Sequence, residues 1–244
     1  DCPNHGCVRI AWSWRVRTWK TPDMNLGELR SDFRGRVCDT KKPYLWSDRE
    51  VDGYINEALI EAVDRGLMIY DRESFTVDVA VGVTDYALDK SIIRVNAALV
   101  TSKDGVALDE PELLRLAERE SGFVYHQQFG RHHDLQGYRI DEDGTFVLDA
   151  TPSTVATLSL EVYRYADALQ DDSDEPEIPN KYHAKMLDWA LKLAYLKQDA
   201  DTYDPSAAER HDAEFARTFG TPKTAQQHRQ RLRRAARSIK TPGF

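Results

Sequence analysis

The sequence predicts an α+β fold: an antiparallel helix bundle from the N- and C-terminal helices, an inserted small antiparallel β lobe and a C-terminal extension. Three observations carry this. Apolar residues recur at three- and four-residue spacing near both ends of the chain. The middle alternates apolar and polar residues with period two. The last 24 residues carry seven basic and no acidic side chains, the mark of a separate tail.

The 244 residues are 41% hydrophobic and 30% charged, a globular composition in a chain long enough to bury a core without staples. The longest uncharged run, 150–160, is far short of the roughly 20 apolar residues of a membrane span. Three cysteines, Cys2, Cys7 and Cys38, cannot close into disulfides among themselves, which favours a reducing compartment. The net charge of −8 is unevenly placed: +2 over 1–23, −17 over 24–220 and +7 over 221–244.

Residues 1–23 look foreign to the rest. They hold Trp12, Trp14 and Trp19 and lack the apolar core of a signal peptide. Met24 is read as a natural start and 1–23 as an upstream or added extension; the alternative is an ordered arm that docks its tryptophans on a neighbour. Cys2, His5 and Cys7 have no fourth ligand nearby, and no zinc site is assigned.

The first predicted helix runs from Leu26 to Val37. The second, Trp46–Arg65, has Ser47 as N-cap, Glu50 completing a capping box, Trp46 and Val51 as a hydrophobic staple, and Gly66 ending it in a left-handed conformation. Strands follow at Phe75–Val81, around Tyr86 and Leu88, at Ile93–Leu99 and after the turn Lys103-Asp104-Gly105. Pro111–Arg119 is read as a short helix and Ser121–Gln136 as a loop. A hairpin spans Tyr138–Leu148, and another strand lies at Thr157–Tyr165, about six strands in all. Segment 170–178 is an acidic, solvated linker, with Pro179 in the first turn of the next helix. Asp204-Pro205 caps the following helix, whose face is Ala208, His211, Phe215 and Phe219 and which Gly220 ends. Thr224 caps a last helix, 225–239. The divisions are therefore 1–23 extension, 24–66 with 179–220 bundle, 67–169 β-rich lobe, 170–178 linker and 221–244 tail.

Chemistry-bearing motifs are sparse. His132-His133-Asp134, with His126 and Arg131 nearby, reads as an exposed loop rather than a metal site, because adjacent side chains point apart. His183 reads as a surface histidine, His211 as a core histidine and Cys38 as a buried thiol. No nucleophile elbow, phosphate loop or dinucleotide fingerprint is present in the sequence, and no cofactor, metal or catalytic residue is expected. The basic tail, Arg229, Arg231, Leu232, Arg233, Arg234, Arg237 and Ile239, suits phosphate or an acidic protein groove.

Four stretches in order resemble the head-to-tail adaptor (connector, or head-completion) proteins of tailed bacteriophages. They are Leu45–Ala58, Tyr86–Asp89 with Ile92–Ala98, Leu158–Arg164, and Ile178–His183 followed by Leu187–Tyr195 and Phe215–Gly220. The resemblance implies a non-enzymatic virion protein in the neck, assembled in the host cytoplasm. It would form a closed ring of itself, usually of twelve copies, below the portal. The C-terminal segment would bind the portal, and the lobe, with His126, Arg131, His132 and His133, would face a downstream tail or nozzle protein. Genomic DNA would pass through the lumen unbound, and no membrane is involved. The alternatives are a DNA-binding regulator acting through the tail and a virion-associated cell-wall hydrolase.

Overall fold

The computed structural model describes residues 23–116, 135, 137–141, 143–198, 202–224 and 227. The fold is mixed α+β. Helices α1 (Leu26–Arg36) and α2 (Asp48–Gly66) come first. Strands β1 (Tyr70–Val79), β2 (Asp85–Ala87), β3 (Ile92–Lys103), β4 (Val106–Leu113), β5 (Arg115–Leu116), β6 (Gly137–Ile140), β7 (Thr145–Leu148) and β8 (Ala156–Arg164) follow. A short 3-10 turn, Asn180–Tyr182, leads into α3 (His183–Leu196) and then α4 (Pro205–Phe219).

Both first helices start on capping boxes. Asn25 accepts from the Glu28 N–H and Ser47 from the Glu50 N–H, while each glutamate returns the bond to the cap backbone. Trp46 and Val51, the staple pair, are buried in one core. That core takes residues from all four helices, among them Leu26, Phe33, Ile55, Leu59, Met186, Leu191 and Phe215, so the two ends of the chain share it.

Helix α2 ends differently from the expectation. Gly66 is its last helical residue, and Leu67 takes the left-handed conformation at φ 49. The Leu67 N–H still closes on the Val63 carbonyl. Leu67 is half-buried against the helical core, and that packing offsets a conformation in which glycine would be less strained.

Among the described residues, eight strands form two four-stranded sheets, ordered β1-β8-β3-β4 and β2-β7-β6-β5. The expected Tyr86 strand does not pair with β1; it joins β7 in the second sheet. The lobe is not wholly antiparallel, because β5 runs parallel to β6. Alternation sets the buried face: Leu158, Leu160 and Val162 of β8 are buried, as their spacing predicts. Residues of both sheets, including Val95, Leu158, Tyr138 and Phe146, meet in a second core. Tyr138 stacks on Phe146 at 4.8 Å, and burial pushes its phenol up to about 12.

The helix expected at Pro111–Arg119 is absent where the structure describes it. Pro111 lies in β4, and β5 follows. β4 is an edge strand, where a proline can sit without removing a ladder donor. Of the loop expected at 121–136, only Leu135 is described, and it is buried. Cys38, expected buried, is exposed at φ 58 in the turn after α1. Pro179 precedes the 3-10 turn rather than opening an α-helix.

The segment between β8 and α3 is exposed in most of its side chains, yet its backbone is fixed. The carbonyls of Asp174 and Asp172 accept from the Leu26 and Gly27 N–H groups, capping the start of α1. Asn56 on α2 holds Leu169 twice, donating to its carbonyl at 3.0 Å and accepting from its N–H at 2.8 Å. Replacing Asn56 by Ala leaves both backbone groups of Leu169 without these bonds. The expected cost is about 2 kcal/mol, measured as a lower urea midpoint at unchanged slope.

Candidate partner-binding segment and its anchor

The basic segment singled out by the sequence leaves the body at a built anchor. Gly220 stops α4 at φ 96. The carbonyl of Gly220 accepts from Arg65 Nη1 at 3.0 Å, and Lys223 Nζ donates back to the Arg65 carbonyl at 2.9 Å. The lysine thus meets the carbonyl end of α2, where a cation is favoured. Arg65 is itself buried, with Nε on Glu61 at 2.7 Å and its guanidinium 4.8 Å from the Trp189 ring and 5.0 Å from that of Phe215.

Four residues on from Gly220, Thr224 and Gln227 exchange bonds. The Gln227 N–H donates to Thr224 Oγ1 at 3.3 Å and the Thr224 N–H donates to Gln227 Oε1 at 2.9 Å, a reciprocal capping box. These are the bonds expected of Thr224 as a cap; the helix expected at 225–239 lies outside the described residues but for Gln227. Arg229, Arg231, Leu232, Arg233, Arg234, Arg237 and Ile239 lie outside the described residues, and so do His126, Arg131, His132 and His133.

Several polar groups of the motif stretches stitch elements together, among them the Trp46 carbonyl and the Asp48 carboxylate, which Arg34 of α1 engages. Arg34 is buried and donates to Asp39 Oδ2 at 2.7 Å, to the Trp46 carbonyl at 2.9 Å and to Asp48 Oδ1 at 2.7 Å, while lying 3.8 Å from the Tyr44 ring. That cluster shapes the turn before α2. Its sequence signal was the spacing itself: Arg34 sits eight residues after Leu26, on the apolar side of α1. Arg164, at the end of β8, joins Asp71 at 3.1 Å to Glu177 at 2.9 Å. The Asp71 carboxyl is held below the usual carboxylate range, chiefly by the Ser74 N–H.

His183 is buried, contrary to the sequence expectation. Its Nδ1 accepts from the Met24 N–H at 3.2 Å, and its Nε2 lies 2.8 Å from the Ile178 carbonyl. A proton on Nε2 satisfies both contacts. A polar residue opening a helix looks solvent-facing in sequence; only the approach of residues 24 and 178 encloses it. His211 is half-buried, with Nδ1 2.9 Å from Asp188 and its ring stacked on Tyr195 at 5.8 Å. Among the described residues no group of three metal-ligating side chains occurs, and no helix is long and apolar enough to cross a membrane.

Glu50 completes its capping box with one carboxylate oxygen and meets Lys197 Nζ at 2.7 Å with the other. The Lys197 bond, then the Ser47 N–H, lower its carboxyl to about 2. A lowered folded value means the contribution is complete above about pH 4.5 and lost as pH falls towards 2. Glu50→Gln keeps the capping geometry and removes only the charge. It is expected to unfold more easily than wild type at pH 7 and equally at pH 2, read from chemical denaturation. Since Glu50 is 38% exposed, solvent screening keeps the difference to about 1 kcal/mol or less. Thr224→Ala removes the cap oxygen. It is expected to cost about 1 kcal/mol of helix initiation and to lower far-ultraviolet helicity without moving the main unfolding transition.

No curated protein matches the chain with significance. A model of the SU10 adaptor protein family matches residues 24–239, from the start of α1 through most of the basic segment. The chain therefore belongs to the SU10 adaptor protein family, a family of bacteriophage structural adaptors.

Proposed function

We propose that the chain joins the portal to the tail in the virion neck as a closed ring, of twelve copies on the family pattern. In this reading α1–α4 act as an antiparallel bundle forming each subunit's rigid body. The basic segment containing Arg229, Arg231, Leu232, Arg233, Arg234, Arg237 and Ile239 docks into an acidic crevice between portal subunits. The loop with His126, Arg131, His132 and His133 faces the downstream tail or nozzle protein. Genomic DNA passes through the lumen without specific binding.

The observation that carries the reading is the reach of the family match, which includes the basic segment to residue 239 and leaves out 1–23. Two physical features support it. A body of net charge −17 over 24–220 repels a passing polyanion and lets it slide. A segment launched from the Arg65–Lys223 anchor starts from a defined place, which lowers the ordering cost of docking. Repetition around a ring then multiplies weak contacts.

The test is negative-stain imaging of the chain mixed with its portal. An added ring layer on the narrow end of the portal is expected, and its symmetry gives the copy number. Changing Arg231, Arg233, Arg234 and Arg237 together to Glu is expected to weaken binding at least tenfold. Two unassociated species at high concentration and moderate salt would overturn the reading. Steep salt-dependent binding of duplex DNA would then favour a DNA-binding role for the tail.

A further inference from the structure

Among the described residues the first sheet ends on an unpaired edge. There β1 bonds β8 on one side only, so along Phe75–Val79 its other side offers backbone donors and acceptors; at 72–74 the ladder is interrupted, and the Glu73 and Ser74 N–H groups donate to Asp71 Oδ1. Beside that edge lies an open cavity of about 420 Å³, lined by Phe75, Val77, Leu88, Asp89, Ile92 and Leu160. The surrounding stretch 70–90 is acidic, with Asp71, Glu73, Asp78, Asp85 and Asp89 against Arg72 and Lys90.

The N-terminal extension carries the complementary pattern. Val8, Ile10, Trp12, Trp14 and Val16 alternate with Arg9, Ala11, Ser13, Arg15 and Arg17, ten residues of period two. Over 1–22 the charge is Arg9, Arg15, Arg17 and Lys20 against Asp1. One face is thus apolar and aromatic, the other basic.

The point where this extension joins the body is linked to the start of β1 by a relay of contacts. The Met24 N–H reaches His183 at 3.2 Å, and His183 reaches Ile178 at 2.8 Å. Glu177, next in the chain, meets Arg164 at 2.9 Å, and Arg164 meets Asp71 at 3.1 Å. Seven residue steps separate Arg17 from Met24, an extended reach of about 23 Å. A chain that leaves Met24 and turns along β1 places Arg17 near Asp71 and Val8 near Val79. Its direction is then antiparallel to β1, as is every other pairing in that sheet.

We infer that residues 8–17 add to the free edge of β1 of their own chain as a fifth, antiparallel strand. The apolar face enters the cavity beside Phe75 and Val77, and the basic face lies over the acidic edge. The occupant is committed by pattern, since Val8, Ile10 and Trp12 fall opposite Val79, Val77 and Phe75 in this register, by charge, and by the contacts that link Met24 to Asp71. The inference is independent of the portal reading, since the family match begins at residue 24.

Hydrogen exchange followed by mass spectrometry on the full chain tests it. Peptides covering 70–79 are expected to exchange at least tenfold more slowly in wild type than in an Ile10→Pro/Trp14→Pro variant, because proline removes ladder donors and extended pairing. Peptides covering α2 are the internal control for an intact body and should be unchanged. Equal exchange in the two proteins overturns the inference. Slow exchange of β1 that persists in the proline variant assigns the edge to another occupant and also overturns it. Disulfide trapping then separates the chain's own segment from a neighbour's. With Cys2, Cys7 and Cys38 changed to Ser, Ile10→Cys and Val77→Cys should join within one chain. Joining only between differently tagged chains would assign the strand to a second copy and overturn the intrachain form.

Discussion

The helical core is built from two stretches that the whole β region separates in sequence, and everything else depends on closing that loop. Bringing such distant segments together costs chain entropy before any contact rewards it. The closure is made by the residues that lead from β8 back to α3. Asn56 grips Leu169, the carbonyls of Asp172 and Asp174 cap α1, and His183 ties Ile178 to Met24. Each bond satisfies a backbone group that would otherwise be left without a partner at a helix end or in a connecting segment. The acidic character of 170–178 fits the same place, since carboxylates are favoured near the N-terminus of α1.

The polar residues buried between elements follow from this constraint. A buried arginine without partners would destabilise a core strongly, whereas Arg34 has two carboxylates, a carbonyl and an aromatic face around it. Arg164 and Asn56 similarly join elements distant in sequence.

The C-terminal segment starts at a clamp formed between the end of α2 and the turn after α4, where Arg65 and Lys223 exchange bonds. The N-terminal extension joins at Met24, beside the histidine that holds the closing segment. Met24 packs against the shared helical core, and Arg65 lies against the rings of Trp189 and Phe215 at its margin.

The amino-acid sequence by itself determined the local features: the α+β class, the Ser47–Glu50 capping box, the Asp204-Pro205 helix start, the Gly220 stop and the alternation of β8. Each is set by bonds or periodicities within a few residues, so each is legible without knowing what lies across the fold. Of the basic C-terminal segment, the Thr224–Gln227 bonds were legible for the same reason. The tertiary structure alone decided the rest. It drew Pro111 into an edge strand instead of a helix, because position in a sheet and not propensity sets whether its missing N–H matters. It divided the strands between two sheets, sending Tyr86 to β7. It left Cys38 exposed while enclosing His183, and it paired Arg65 with residues far along the chain. Burial and long-range pairing depend on which distant segments arrive at the same place, and that is fixed only when the loop between the two helical stretches closes.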